Sequence, residues 1–91
     1  MATDPHKKQL NSHIGKYVRS IRQKKGLSRE DLAGASNVSL THLGNIERGT
    51  ASMTPYTQAK IAKGLKLTNP NELTAEAFEK VYPSMPTYIS D

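Results

Sequence analysis

Residues 28–49 read Ser-Arg-Glu-Asp-Leu-Ala-Gly-Ala-Ser-Asn-Val-Ser-Leu-Thr-His-Leu-Gly-Asn-Ile-Glu-Arg-Gly, and this stretch decides the fold. Ser28, with Asp31 three positions later, has the pattern of a capping box, which begins a helix. Asn37 tolerates the left-handed conformation that a tight turn requires, and Ser39 is a second N-cap residue. The stretch therefore predicts two short helices joined by a tight turn.

The sequence on either side predicts three further helices and no strand. Each begins at residues typical of a helix N-terminus, namely Asp4-Pro5, Thr54-Pro55 and Asn69-Pro70. Gly26 ends the first helix, and Pro83 stops the last. The inward-facing residues predicted from helical spacing are Leu10, Ile14, Tyr17, Val18 and Ile21, then Leu32, Ala33, Val38, Leu43 and Ile46, then Tyr56, Ala59, Ile61, Ala62 and Leu65.

Charge is spread unevenly over the 91 residues, whose formal net charge is +5. Residues 1–66 hold twelve basic and four acidic side chains, whereas residues 67–91 hold one basic and four acidic. A basic body is suited to a polyanion such as double-stranded DNA. The acidic end would be repelled by the same polyanion.

Several classes of protein are disfavoured by the composition. The chain contains no cysteine, so disulfides, thiol chemistry and Cys-containing zinc sites are excluded. His6, His13 and His42 lack ligand spacing, and no Gly-rich phosphate loop is present, so we expect no enzyme, no cofactor and no metal. No apolar run approaches the roughly 20 residues that span a bilayer, and no secretory signal is recognisable. We therefore expect a cytoplasmic protein.

The run of residues 14–65 resembles the phage-repressor-like helix-turn-helix DNA-binding domains, also described as lambda repressor/Cro-like or xenobiotic-response-element-type. The matching residues are Ile14-Gly15, Arg22-x-x-x-Gly26-Leu27-Ser28, Glu30-Asp31-Leu32-Ala33, Asn37-Val38-Ser39, Leu43, Ile46-Glu47-Arg48-Gly49 and Ile61-Ala62. The resemblance implies an all-α, five-helix lambda-repressor-like fold whose third helix enters the major groove. On this basis residues 10–82 form the DNA-binding domain, residues 1–9 an N-terminal arm or helix extension, and residues 83–91 an extended tail.

The same resemblance implies which residues contact DNA. It places base contacts on Leu40, Thr41 and Asn45, with His42 as a further residue that reaches a base or phosphate. Asparagine bonds bidentately to adenine, and leucine or threonine packs against the methyl group of thymine. The alternative for each is a solvated helix residue, and for Leu40 also a dimer contact.

Phosphate contacts are expected around this helix. The loop 50–54 carries no Lys or Arg, so its contribution would come from hydroxyls and main-chain amides. Arg22 and Glu47 are instead paired by the resemblance as a structural ion pair between the first and third helices. The predicted phosphate ligands are Ser28, Arg29, Ser39, Lys7, Lys8, Lys16 and Thr50.

The sequence thus predicts a sequence-specific transcriptional regulator, a repressor that binds a pseudo-palindromic operator as a homodimer. The alternative is an antitoxin or adaptor whose C-terminal tail binds a partner protein, because this tail combines apolar residues with two prolines. The residues predicted for the dimer or partner surface are Leu73, Phe78, Val81, Tyr88 and Ile89.

Overall fold

Five helices follow one another in residues 4–88, the part of the chain that this computed structural model describes. The predicted all-α, five-helix fold class is confirmed. The helices are α1 (Pro5–Lys24), α2 (Arg29–Ser36), α3 (Leu40–Arg48), α4 (Pro55–Gly64) and α5 (Glu72–Val81), with a 3-10 turn (Tyr82–Ser84) after α5.

The helix N-termini form where the capping residues stand. The Asp4 side chain accepts hydrogen bonds from the main-chain N–H groups of His6 and Lys7, so α1 begins at Pro5 and runs unbroken through residues 5–9. The predicted extended tail from Pro83 begins instead within the 3-10 turn, and Met85, which follows the turn, is extended.

The turn between α2 and α3 has the geometry that the sequence predicted. Both hydrogen bonds of the capping box, between Ser28 and Asp31, are 2.9 Å long. Asn37 ends α2 in the left-handed conformation, with φ 53°. The Ser39 hydroxyl then accepts from the main-chain N–H of His42 at 3.0 Å and begins α3.

One apolar core holds the helices together. It is built from apolar residues of α1 to α4, from Leu65 just after α4 and from one residue of α5, namely Val18, Leu32, Ala33, Leu43, Ile46, Ile61, Ala62, Leu65 and Leu73. At the rim of the core, the Tyr17 hydroxyl donates to the Glu72 carboxylate at 2.9 Å and joins α1 to α5. Burial raises the pKa of Tyr17, and so does this hydrogen bond.

Gly15 lets the backbones of α1 and α3 approach closely. A Cβ at this position would collide with the main-chain oxygen of Ile46 and lie 2.6 Å from that of Glu47. No side chain of residue 15 can fit between the two helices. The position of α3 on the domain therefore depends on this glycine.

Two local predictions for α4 and α5 are wrong. Tyr56, predicted to face inward, is exposed in the first turn of α4, where its ring lies 5.0 Å from the Lys60 ammonium. The helix α5 begins at Glu72 and not at the predicted Asn69-Pro70, and the side chain of Asn71, which precedes it, makes no capping hydrogen bond. Instead, the Asn69 side chain accepts from the main-chain N–H of Asn71 at 2.9 Å, so this cap stabilises the turn before α5.

Candidate nucleic-acid interface

The outer face of α3 carries the four side chains predicted to contact bases. Leu40 and Thr41 are exposed in its first turn, and His42 and Asn45 are half-buried. The opposite face is anchored in the core by residues such as Leu43, so α3 has one buried and one accessible side. Such a helix can be inserted into a groove without disturbing the core.

Asn45 is held by two neighbours on this outer face. Arg48 donates from Nη2 to the Asn45 Oδ1 at 2.8 Å. The Thr50 hydroxyl lies 3.1 Å from the Asn45 main-chain oxygen and 3.3 Å from Oδ1. The side chain of Asn45 is therefore already oriented in the protein.

Arg48 also lies on this outer face, although the sequence analysis did not include it among the residues predicted to contact DNA. Residues 41, 45 and 48 are spaced i, i+4 and i+7, and this spacing places them on one helix face. The side chain of Arg48 folds back along α3 and lies over Gly44. A Cβ at Gly44 would be only 3.1 Å from its Nη1. The helical spacing alone could have assigned Arg48 to the outer face.

A buried ion pair fixes α3 to α1 behind the outer face. Arg22 donates to the Glu47 carboxylate from Nε at 2.8 Å and from Nη2 at 3.0 Å, and both side chains are buried. Its Nη1 donates to the Leu27 main-chain oxygen at 2.9 Å. The hydrogen bonds with Glu47 raise the pKa of Arg22, so the guanidinium stays charged at every ordinary pH.

Arg29, predicted as a phosphate ligand, is also bonded to this carboxylate. Its Nε lies 3.3 Å from the Glu47 Oε1, while its side chain remains 41% exposed. Glu47 thus links α1, α2 and α3, and the exposed part of the Arg29 guanidinium is fixed at the N-terminus of α2. Ser28 and Ser39, the N-cap residues of α2 and α3, are exposed beside their helix ends.

The predicted phosphate-binding lysines lie in two places. Lys7 and Lys8 line a groove of about 360 Å³ with Thr50, at the C-terminal end of α3. The Asn11 amide and the Ser52 hydroxyl, 3.1 Å apart, join the loop 50–54 to α1 beside it. Lys16 is not brought together with these residues, since it lines a different groove between α1 and α5.

The predicted dimer or partner surface needs correction. Leu73 and Val81 are 1% and 2% exposed, so they pack inside the monomer and are not available to a partner. Phe78 is 48% exposed and Tyr88 is also exposed, whereas Ile89 lies outside the described residues. The exposed large side chains at this end form what we term the apolar strip: Phe78, Tyr82, Met85 and Tyr88.

Residues 4–88 contain no group of three or more His, Asp or Glu side chains arranged to hold a metal ion. Within the same range, no helix combines the length and the apolar character needed to cross a membrane.

An anchored α3 with an accessible outer face, preceded by a capped α2 and a left-handed turn, defines a helix-turn-helix DNA-binding domain. Residues 18–73 match the helix-turn-helix family HTH_3. The chain belongs to this family, which confirms the resemblance stated from its sequence. It is a DNA-binding transcriptional regulator.

Solved structures of similar proteins have the same fold. The restriction-modification controller protein C.AhdI from Aeromonas hydrophila is 33% identical, with a TM-score of 0.67 over 69% of this chain and 94% of that one. The wild-type controller C.Esp1396I is 32% identical, with a TM-score of 0.68 over 78% and 95%. An HTH_3 family transcriptional regulator from Vibrio cholerae is 34% identical, with a TM-score of 0.71 over 77% and 39%. No curated protein sequence matches the chain significantly.

Proposed function

We propose that this regulator is a repressor that binds a pseudo-palindromic operator as a homodimer and acts by excluding RNA polymerase. The observation that carries the proposal is the outer face of α3, where Thr41 and Asn45 are accessible while Leu43 is buried in the core. In a helix-turn-helix domain, such a face meets the base edges in the major groove.

Groups suited to phosphate lie near this face. Arg29 and the Ser28 hydroxyl stand at the N-terminus of α2, where Arg29 bonds Glu47 of α3, and Lys7 and Lys8 lie beside Thr50 just after α3. Contacts of this kind fix the register of a protein on the duplex and release counterions. We therefore expect the DNA affinity to fall steeply as the salt concentration rises.

We expect a homodimer because one recognition helix contacts only a few base pairs. The nine residues of α3 can read only a few base pairs, whereas two copies on half-sites about 34 Å apart double the sequence that is read. The apolar strip supports a dimer contact through the end of α5, where Phe78 is half exposed. Large exposed apolar side chains of this kind are typical of interaction surfaces.

The alternative, an antitoxin or adaptor, is favoured by the same strip. The large side chains of Tyr82, Met85 and Tyr88 are exposed after α5. A segment with exposed side chains of this kind can dock on a partner protein. This alternative requires a protein partner that the strip binds. Deletion of residues 85–91 would then abolish partner binding and spare DNA binding.

Selection of bound sequences from a random DNA library tests the proposal, combined with light scattering of the purified complex. We expect a two-fold symmetric consensus and two protein chains per duplex. A single chain on the selected DNA would contradict the homodimer. Salt-sensitive binding without any consensus would contradict sequence-specific regulation and favour the adaptor.

A further inference from the structure

We infer that Asn45 and Arg48 act as one unit that presents only hydrogen-bond donors to the major groove and selects guanine. This inference rests on the proposed function, because it requires the outer face of α3 to meet base edges. It goes further by naming the base and by making Arg48 a specificity-determining residue.

The orientation of the Asn45 amide follows from the chemistry of Arg48. A guanidinium carries five N–H donors and no acceptor, so the amide atom 2.8 Å from Arg48 Nη2 must be the oxygen. The Thr50 hydroxyl approaches the same oxygen at 3.3 Å. A hydroxyl has a single proton, and the Thr50 hydroxyl lies nearer to the Asn45 main-chain oxygen, at 3.1 Å, so Arg48 is the donor that holds Oδ1. Among the described residues, Nδ2 of Asn45 has no hydrogen-bond partner.

The position of Arg48 is built into α3. Residue 44 is glycine, and a Cβ there would lie 3.1 Å from Nη1 and 3.4 Å from Nη2 of Arg48. The guanidinium therefore occupies space that any larger residue would take, and it lies against the helix beside Asn45. Arg48 is exposed and lies three positions after Asn45, so the two side chains share one helix face.

This arrangement changes which base the site can read. Asparagine reads adenine bidentately by donating to N7 and accepting from the N6 amino group, and the second contact needs a free Oδ1. Guanine presents two acceptors, N7 and O6, in the same place. Because Oδ1 of Asn45 accepts from Arg48, the amino group of an adenine that approaches it meets the N–H donors of the guanidinium, whereas the two acceptors of guanine meet donors on both side chains. The expected base at this position is guanine rather than adenine.

The test compares sites selected from a random DNA library by the wild type, by Asn45→Ala and by Arg48→Ala. The position at which Asn45→Ala loses its base preference identifies the base that this residue contacts. We expect guanine there for the wild type. In Arg48→Ala the freed oxygen accepts from adenine, so the ratio of guanine to adenine affinity should fall by roughly 5- to 150-fold, the range of one bidentate contact.

Arg19→Ala is the matched control, because Arg19 is an exposed arginine of α1 and its removal changes the net charge equally. It should leave the base preference unaltered. Arg48→Met, which keeps the aliphatic stem, should repeat the shift seen in Arg48→Ala. Adenine at the Asn45-dependent position in the wild type, or guanine retained by both Arg48 variants, would overturn the inference. A wild-type selection with no consensus would overturn the proposed function itself.

Discussion

At the scale of single residues, Glu47 connects α1 and α2 to α3 behind its outer face. Its buried carboxylate accepts two hydrogen bonds from Arg22 and one from the half-exposed Arg29. The resemblance to repressor-like domains paired Arg22 with Glu47 from the sequence. The bond to Arg29 could not be predicted in the same way, since it depends on the path of a long side chain across the surface.

We predict that Arg22→Ala lowers the free energy of unfolding by about 3 kcal/mol, because it leaves a buried carboxylate with one partner instead of two. Urea unfolding at neutral pH measures this loss. Arg29→Ala is the matched control and should cost less, since the Arg29 side chain is 41% exposed. An Arg22→Ala protein with full stability and reduced DNA affinity would show that Arg22 is a phosphate ligand instead.

The capping box of α2 makes the stability of the folded protein depend on pH in a direction that can be predicted. Hydrogen bonds from Ser28, first from its main-chain N–H, lower the pKa of Asp31 from its usual value of 3.8. A carboxyl group whose pKa is lower in the folded state adds stability above its unfolded pKa and loses it as the pH falls through the folded value. We therefore predict that Asp31→Asn makes stability less sensitive to pH below 3.8. Thermal unfolding over an acid pH series tests this, and an unchanged acid profile would contradict it.

At the scale of the elements, the contact between α1 and α3 decides where the recognition helix stands. Gly15→Ala would drive a methyl group into the main-chain oxygens of Ile46 and Glu47, which cannot move without moving α3. We predict a loss of about 1–3 kcal/mol or more in the free energy of unfolding, measured by urea denaturation.

Gly34→Ala provides the control for Gly15→Ala. A Cβ at Gly34, inside α2, meets nothing within 4 Å. This substitution should therefore stabilise the protein by about 0.4–1 kcal/mol, because alanine favours a helix and restricts the unfolded chain. If both alanine variants were equally stable, the close approach of α1 and α3 would not be a constraint.

The elements also show how far the sequence could predict the fold. Ser28 and Asn37 act through neighbours within a few positions, so local patterns were sufficient for the helix-turn-helix. Leu73 and Val81 were wrongly assigned to the dimer or partner surface, because the apolar residues of α5 were not separated into a buried and an exposed face. Their spacing, with Ala77, of i, i+4 and i+8 identifies the buried stripe of α5, and Phe78 lies beside it.

At the scale of the whole molecule, the basic and apolar surfaces adjoin at Lys7. Lys7 and Lys8 lie beside Thr50, and Lys7 also lines a groove of about 220 Å³ with Phe78 of the apolar strip. A dimer contact through Phe78 would therefore lie next to the groups proposed to bind phosphate. The homodimer was an expectation from the sequence, because the pattern of one chain does not specify which exposed residues contact a second copy.

We predict that Phe78→Glu converts a dimer to a monomer, because it places a charge in the centre of an apolar contact. Light scattering over a concentration series measures the change. Tyr56→Glu, which alters a more exposed aromatic residue on α4, should remain dimeric. A Phe78→Glu protein with the wild-type mass in solution would place the dimer contact elsewhere.

The central claim is that the outer face of α3 selects bases. The most direct test is the ratio of affinity for the selected operator to affinity for random DNA of equal length, in the wild type and in Asn45→Ala at one salt concentration. We expect this ratio to fall by roughly 5- to 150-fold in the variant, while the affinity for random DNA stays constant. An unchanged ratio would show that base selection resides on another surface of the protein.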